Sequence, residues 1–405
     1  MATDDKTYIN DNSDSEIQMD PNLVLDVRGL KTNFYTYEGV VKALDGVTVQ
    51  LKRGDTLALV GETGCGKSVT AKSIMRLVDS PGRIEAGEIL FMDENEQGER
   101  TPIDLLKVSE DVMRKIRGNK IAIVFQDPAT YPNPVFKIGD QIAEVISLHQ
   151  DLSLEILQDK IEAMEEALKV AEGETADEIA KRLDELQAQL SNPPRPTTAE
   201  IKKAARRKAV EMLNMVRMPS AAEIANQYPH ELSGGMRQRA LIAMSLSCNP
   251  KILIADEATT ALDVTVQAQV LKLLNDLKDD LDASIIIITH DLGVVAETCT
   301  QVAVMYAGVV VEYTNTDELF SDPIHPYTEG LLRAIPKLTE KVDKLTQIMG
   351  TVPNLINPPT GCRFHPRCEF ATEHCQNERP PREEMKPGHW VECWHPQGSL
   401  TRRKK

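Results

Sequence analysis

The densest chemistry in the sequence is the run Gly61-Glu62-Thr63-Gly64-Cys65-Gly66-Lys67-Ser68, followed by Val69. Its glycines let a short loop curl so that backbone N–H groups point inward at phosphate oxygens. Lys67 brings a positive charge to the β- and γ-phosphates, and Ser68 brings a hydroxyl suited to Mg²⁺. A second run, Lys251 to Glu257 (KILIADE), is an apolar strand that ends in two acids. Asp256 can hold the Mg²⁺ shell, and Glu257 can polarise an attacking water as a general base. A third run, Leu232 to Arg239 (LSGGMRQR), places a Ser-Gly-Gly turn at the start of a helix, which makes a second anion site at Ser233, Gly234 and Gly235. Two such sites act on one γ-phosphate from opposite sides only when a second chain supplies one of them.

These residues need a scaffold that brings them together. Thr56–Val60, Ile121–Phe125, Ile252–Ala255 and Ser284–Thr289 are short apolar runs of the kind found in buried parallel strands. Helical stretches separate them, so the expected core is a parallel α/β sheet. Ser68 to Val78 is expected as the helix that opens on the phosphate loop. Leu23 to Gln50 is strand-like, with a turn at Glu38-Gly39. Between Gln141 and Tyr228 the character changes to helix. Within it, about 149–206 resembles an inserted hairpin that turns near Gly173 and is broken at Ser191–Pro196. A solvated helical hairpin is the plain reading of that charged stretch, and a partner-docking arm is the sharper one.

The motif series as a whole resembles the ATP-binding cassette (ABC) family. LSGGMRQR is similar to its signature sequence and stands upstream of KILIADE, as that family requires. The resemblance implies further roles. Gln126 in VFQDP takes the place of the Q-loop glutamine that reaches Mg²⁺ and the attacking water. Asp263 in Ala261-Leu262-Asp263 takes that of the D-loop at the dimer interface. His290 in IIIITHD takes that of the switch histidine at the γ-phosphate. Tyr37 is the expected aromatic that stacks on adenine, with Tyr35 as its competitor. The resemblance covers Leu23 to about Leu331. It implies a RecA-like P-loop NTPase core with a β-subdomain and a helical subdomain, two such cassettes closing head to tail on two ATPs.

A finer resemblance is to the ATPase subunits of oligopeptide/dipeptide ABC importers. It rests on GETGCGKSVTAKSIMRL, QDPATYPNPVFKIGDQIAEV, YPHELSGGMRQR and HPYTEGLLRAIPKL followed by GTVPNLINPPTGCRFHPRC. It implies a homologous second ATPase, two transmembrane permease subunits and, indirectly, an external peptide-binding protein. Importers of nickel and of glutathione share much of the pattern. A non-transport ABC ATPase is a further alternative. The expected domains are an acidic disordered tail (1–22), the nucleotide-binding domain (23–330, helical subdomain about 141–234) and a Cys-rich C-terminal extension (331–405).

The chain has seven cysteines in 405 residues, and four of them, Cys362, Cys368, Cys375 and Cys393, crowd into that extension. A reducing cytosol disfavours disulfides, so a clustered foursome reads first as metal-binding. Their gaps exceed the short C-x₂₋₄-C hooks usual for zinc, and a larger [4Fe–4S] cluster suits wider loops. Some oligopeptide/dipeptide ATPases carry such a cluster in this extension, and the four cysteines line up with it. Zinc is the alternative. His365, His374, His389 and His395 read as packing or surface residues before they read as ligands. Cys65 lies where the family often has Ser. It is expected as a small tolerated side chain, with an oxidation switch as the alternative if the helix N-terminus depresses its pKa.

Composition bounds the partners. Lys plus Arg total 46 against 62 Asp plus Glu, a formal net charge of −16. That excess of acid argues against nucleic acid, which needs clustered Lys and Arg. No run reaches the ~20 apolar residues of a membrane span, and residues 1–20 do not read as a targeting segment. The chain is therefore expected at the cytoplasmic face of the membrane, held there peripherally by its permease.

Overall fold

The structure is a computed structural model that describes residues 17–95, 97–125, 130–258, 263–334 and 348–398. The expected site residue Gln126, the expected D-loop residues Ala261 and Leu262, and most of the expected acidic tail lie outside the described residues. Within the expected tail, residues 17–22 make contacts with the strands. Arg28 donates to the Gln18 carbonyl at 2.9 Å and Arg100 to the Pro21 carbonyl at 3.0 Å.

The strands in chain order are β1 (Leu23–Thr36), β2 (Gly39–Lys52), β3 (Thr56–Val60), β4 (Gly82–Glu94), β5 (Arg100–Asp104), β6 (Ile121–Val124), β7 (Ile252–Asp256), β8 (Ser284–Thr289), β9 (Gln301–Tyr306), β10 (Val309–Asn315), β11 (Arg382–Lys386) and β12 (His389–Glu392). The chain forms two compact units. In the first, β2, β1, β4 and β5 make an antiparallel sheet in that order. A second sheet runs β11-β12-β10-β9-β3-β8-β7. β3 is parallel to β8 and β9, and β8 is parallel to β7. Every residue of β3, β7 and β8 is buried, which is why these strands read as unbroken apolar runs rather than as alternation.

Two boundaries differ from the sequence reading. The β1–β2 turn is Tyr37-Glu38, and Gly39 already pairs with Thr36. The helix after the phosphate loop is Lys67–Ile74, shorter than the expected Ser68–Val78. Arg76 adopts φ 49°, and the Leu77 N–H returns to the Lys72 carbonyl at 2.7 Å, a left-handed termination that sequence periodicity does not reveal.

The C-terminal stretch reads in sequence as a small unit apart. In the structure it extends the core sheet, because β12 pairs antiparallel with β10. A buried carboxylate anchors it. Glu312 of β10 accepts the N–H groups of Ile324 (2.8 Å) and His325 (2.9 Å) and lies 2.7 Å from His389 Nε2. Both Glu312 and His389 are buried, so their contact is shielded from solvent, while His389 Nδ1 is buried without a hydrogen-bond partner among the described residues.

The second unit carries β6 and a set of helices. Helices Ser153–Leu168 and Glu174–Gln187 form a hairpin that turns at Gly173, and Thr198–Met215 follows after the proline-rich break. Leu157, Ile161 and Leu186 make a small core of their own, flanked by Met164 and Leu183. Thr197 and Glu200 form a capping box at the start of the third helix.

His325 offers a test of the fold. Its Nδ1 accepts the Tyr327 N–H at 3.0 Å, and burial holds its pKa down to about 4. The unfolded imidazole titrates near the ordinary His value, so between about 6.5 and 4 the unfolded chain binds the extra proton. Stability is therefore full above about pH 6.5 and falls as pH drops through this window, by on the order of 3 kcal/mol. Urea midpoints at pH 7.5 and 5 should separate more in wild type than in His325→Asn, which keeps an acceptor for the helix. Equal separations would contradict the assignment.

Candidate functional site

The first unit gathers the phosphate loop, both acids and the histidine. The loop leaves β3 at Gly61, whose φ is 150° and whose position admits no side chain. A Cβ there would stand 2.2 Å from the Met305 carbonyl oxygen. Lys67 is buried, and its Nζ donates to the carbonyls of Gly61 (2.7 Å) and Glu62 (3.1 Å). An arriving phosphate oxygen thus exchanges with neutral acceptors rather than breaking an ion pair, and gains a charge-assisted bond. The remaining loop residues Thr63 and Gly64 lead into Cys65, whose N–H bonds the Glu62 carbonyl at 3.2 Å. Val69 stands half-buried in the first turn of the helix.

The Ser68 hydroxyl donates to Asp256 Oδ1 at 2.9 Å. This joins the end of the loop to the end of β7 and aligns two oxygen ligands of the kind Mg²⁺ prefers. Burial pushes the Asp256 carboxyl up from the ordinary range. The Ser68 bond works against that shift, while the Glu257 charge adds to it. A divalent cation would reverse the penalty. Glu257 comes next with φ 47°, its N–H bonded to the Ile288 carbonyl at 3.0 Å. His290, the residue after the paired end of β8, has its Nδ1 3.6 Å from Glu257 Oε1. A carboxylate beside an imidazole, next to a cation-binding pair, has the parts needed to orient a water at a phosphate.

Tyr37 lies at the tip of the β1–β2 turn, 98% exposed, with its ring face open. Tyr35 is 43% exposed and engaged: its hydroxyl donates to Glu85 at 2.8 Å and Arg83 sits over its ring. In the second unit, Ser233 caps the helix Gly234–Leu246 by accepting the Met236 N–H at 3.3 Å. A Cβ on Gly234 would meet nothing, whereas one on Gly235 would stand 2.9 Å from Val266. Asp263 accepts the Val266 N–H at 3.0 Å, so it caps the helix Val264–Leu281.

The oxidation-switch reading of Cys65 is overturned. The side chain is fully buried, and burial raises its thiol pKa despite the nearby Lys67. A buried neutral thiol is inert.

The four C-terminal cysteines are free thiols that influence one another electrostatically. Burial first, then repulsion from Cys362, Cys368 and Cys375, pushes the Cys393 thiol up to about 12. Burial likewise takes Cys362 up to about 11, with Cys368 and Cys375 adding to the shift. One backbone N–H bonds a sulfur: that of His395 donates to Cys393 Sγ at 3.3 Å. Among the described residues, no group of three His, Cys, Asp or Glu side chains is already close enough to hold a metal ion. Of the four histidines near them, His389 is committed to Glu312 and His365 Nδ1 lies 2.9 Å from the Cys362 carbonyl. His374 packs on Trp394, and His395 bonds Thr372 at 2.9 Å.

Sequence reasoning missed two residues that touch the loop. Tyr327 of the HPY triplet accepts the Glu62 N–H at 3.0 Å. Arg367, between the first two cysteines, grips the Glu62 carboxylate. The unusual HPYTEGLL and CRFHPRC strings are visible signals, but no local pattern says which distant loop they meet.

Residues 44–260 match the ABC transporter family, and residues 311–375 match the oligopeptide/dipeptide transporter C-terminal region. The chain belongs to the ABC transporter family. It is 44% identical over 374 residues to the probable peptide ABC transporter ATP-binding protein y4tR of Sinorhizobium fredii, covering 92% of this chain and 95% of that one. It is 44% identical over 372 residues to the oligopeptide transport ATP-binding protein AppD of Bacillus subtilis, covering 92% and 96%. The dimeric structure of MJ0796, a bacterial ABC transporter cassette, superposes with a TM-score of 0.52 at 22% identity, covering 72% of this chain and 98% of that one. That likeness speaks to the fold, a P-loop ATPase core with mixed sheets. Membership in the family makes ATP hydrolysis the chemistry of the site. Among the described residues no helix is long and apolar enough to cross a membrane.

The burial of Cys65 has a direct consequence. Treating the native chain with a maleimide at pH 7 should leave Cys65 unmodified in peptide maps, with labelling only after denaturation. Stoichiometric labelling of Cys65 itself in the folded chain would restore the switch.

Proposed function

We propose that this chain is the ATP-hydrolysing subunit of an importer of oligopeptides or dipeptides. The observation that carries the cargo is the match of residues 311–375 to the oligopeptide/dipeptide transporter C-terminal region. The names of its relatives, peptide and oligopeptide transport ATP-binding proteins, point the same way. Nickel and glutathione importers are the competing cargo readings, and no residue of the site favours them.

In this reading Ser68 and Asp256 hold Mg²⁺ together with Gln126, Lys67 and the loop N–H groups hold the phosphates, and Tyr37 stacks on adenine. Glu257 is the base that takes the proton from the attacking water, and His290 steadies it at the γ-phosphate. Ser233, Gly234 and Gly235 serve the ATP of a second cassette, with Asp263 at the shared interface. The partner is a homologous ATPase, the pair docks on two permease subunits, and the chain sits peripherally at the cytoplasmic face. The helical hairpin within about 149–206 enlarges the subdomain that meets the permease. The expected domain limits, 23–330 and 331–405, go with this reading.

Cys362, Cys368, Cys375 and Cys393 would hold a [4Fe–4S] cluster, with zinc as the alternative. The crowding of these four cysteines into one short segment supports it, as does the His395 N–H at Cys393 Sγ. Bound there, the group would supply a structural cross-link to a short segment with little core of its own.

Two measurements test these assignments. Glu257→Gln should lower the ATPase rate by about 10²–10⁴-fold while leaving Mg·ATP binding intact. An unchanged rate would remove Glu257 from the role of base. Anaerobic purification should give about four irons per chain, lost in Cys368→Ser. One zinc per chain would replace iron, and no metal would end the metal reading.

A further inference from the structure

We propose that Arg367 is a positioning residue of the nucleotide site, and that through it the four-cysteine segment governs how tightly the chain holds ATP. The inference rests on the phosphate loop binding ATP.

The contact is unusually complete. The two terminal nitrogens of Arg367 donate to the two oxygens of Glu62, at 2.6 and 3.1 Å. Such a fork fixes direction as well as distance. The guanidinium is 4% exposed and has no slack, since Nε donates to the Met349 carbonyl at 2.9 Å and Nη2 to that of Ile348 at 3.3 Å. Its planar face lies over the Tyr306 ring, 5.7 Å from the centroid.

Glu62 is held at three points. Arg367 takes its carboxylate, Tyr327 takes its N–H, and its carbonyl receives Lys67. The residue that presents an acceptor to the phosphate-binding lysine is therefore set in place from the C-terminal segment. Arg367 also neutralises a carboxylate that would otherwise face an incoming triphosphate.

The position of Arg367 is in turn set by the cysteines. It ends the short turn His365–Arg367, with its N–H bonded to the Phe364 carbonyl at 2.9 Å and the Cys368 N–H bonded to that of His365 at 3.3 Å. Cys362 closes the turn by donating its N–H to the Cys375 carbonyl at 2.8 Å. Phe364 packs edge-on against Tyr306, the same ring that Arg367 covers. Any change that spreads the four thiols moves this turn, and with it the guanidinium.

The test is a set of full-length variants assayed for ATPase KM and kcat and for Mg·ATP affinity by titration. Arg367→Ala should raise KM about tenfold with kcat within about twofold, because binding rather than the chemical step is lost. Arg367→Lys, which keeps charge without the fork, should fall between. Arg367→Ala in a Glu62→Ala background should be no worse than Glu62→Ala alone, since the stranded carboxylate is gone. Cys368→Ser should raise KM with Glu62 present and have no further effect in Glu62→Ala. A general loss of folding would lower kcat and would not be rescued by removing Glu62. An unchanged KM in Arg367→Ala, or fully additive effects in the double variant, overturns the proposal. Lys67→Ala separates the two ideas: if it leaves ATP affinity intact, the nucleotide site itself is misassigned.

Discussion

The register of three parallel strands is the constraint on which the site depends. Val60 of β3 stands opposite Thr289 of β8, and Asp256 of β7 stands opposite Ile288. Once those ladders form, Gly61, Glu257 and His290 all emerge at one edge of the sheet, each within two residues of a paired end. A one-residue slip on any strand would reverse its faces and withdraw one of the three. Burial on both faces holds that register, so the stability of the apolar core and the alignment of the chemistry are one requirement.

This explains why so much of the site is legible in the sequence. A buried parallel strand reads as a short apolar run, and a ligand-binding edge reads as the residues just past the end of such a run: Gly-rich loop, paired acids, histidine. Each signal is local in sequence, and the geometry that joins them is generic to the fold. The helical hairpin is legible for a similar reason. Charged, Ala- and Leu-rich stretches broken by Gly173 and by Pro193-Pro194 carry their boundaries in their composition. The helix after the phosphate loop reads too long because Arg76 ends it with a left-handed residue, and nothing in an Arg side chain announces that.

What the sequence hides is the set of contacts that cross long stretches of chain. Glu62 and Arg367 lie 305 positions apart, Glu312 and His389 lie 77 apart, and Asp45 and Arg363 lie 318 apart. None belongs to a motif with fixed spacing. All three join the C-terminal segment to the core, and all three bury charge on at least one side. Such pairs are costly to form one by one and costly to leave half-made. They work here because the partners are fixed independently: Glu312 by two backbone N–H groups, Arg367 by two carbonyls and a ring, Arg363 by the Ala307 carbonyl.

The same contacts explain why the C-terminal segment cannot be an appendage. It contributes β12 to the sheet, Phe364 to the aromatic cluster of Tyr306 and Tyr327, and a guanidinium to Glu62 of the glycine-rich loop. A segment with few apolar residues gains order mainly through such fixed polar anchors. Its folding and the readiness of the phosphate loop are therefore coupled, because the side chain that the loop needs to keep Glu62 in place is presented by the turn the cysteines frame.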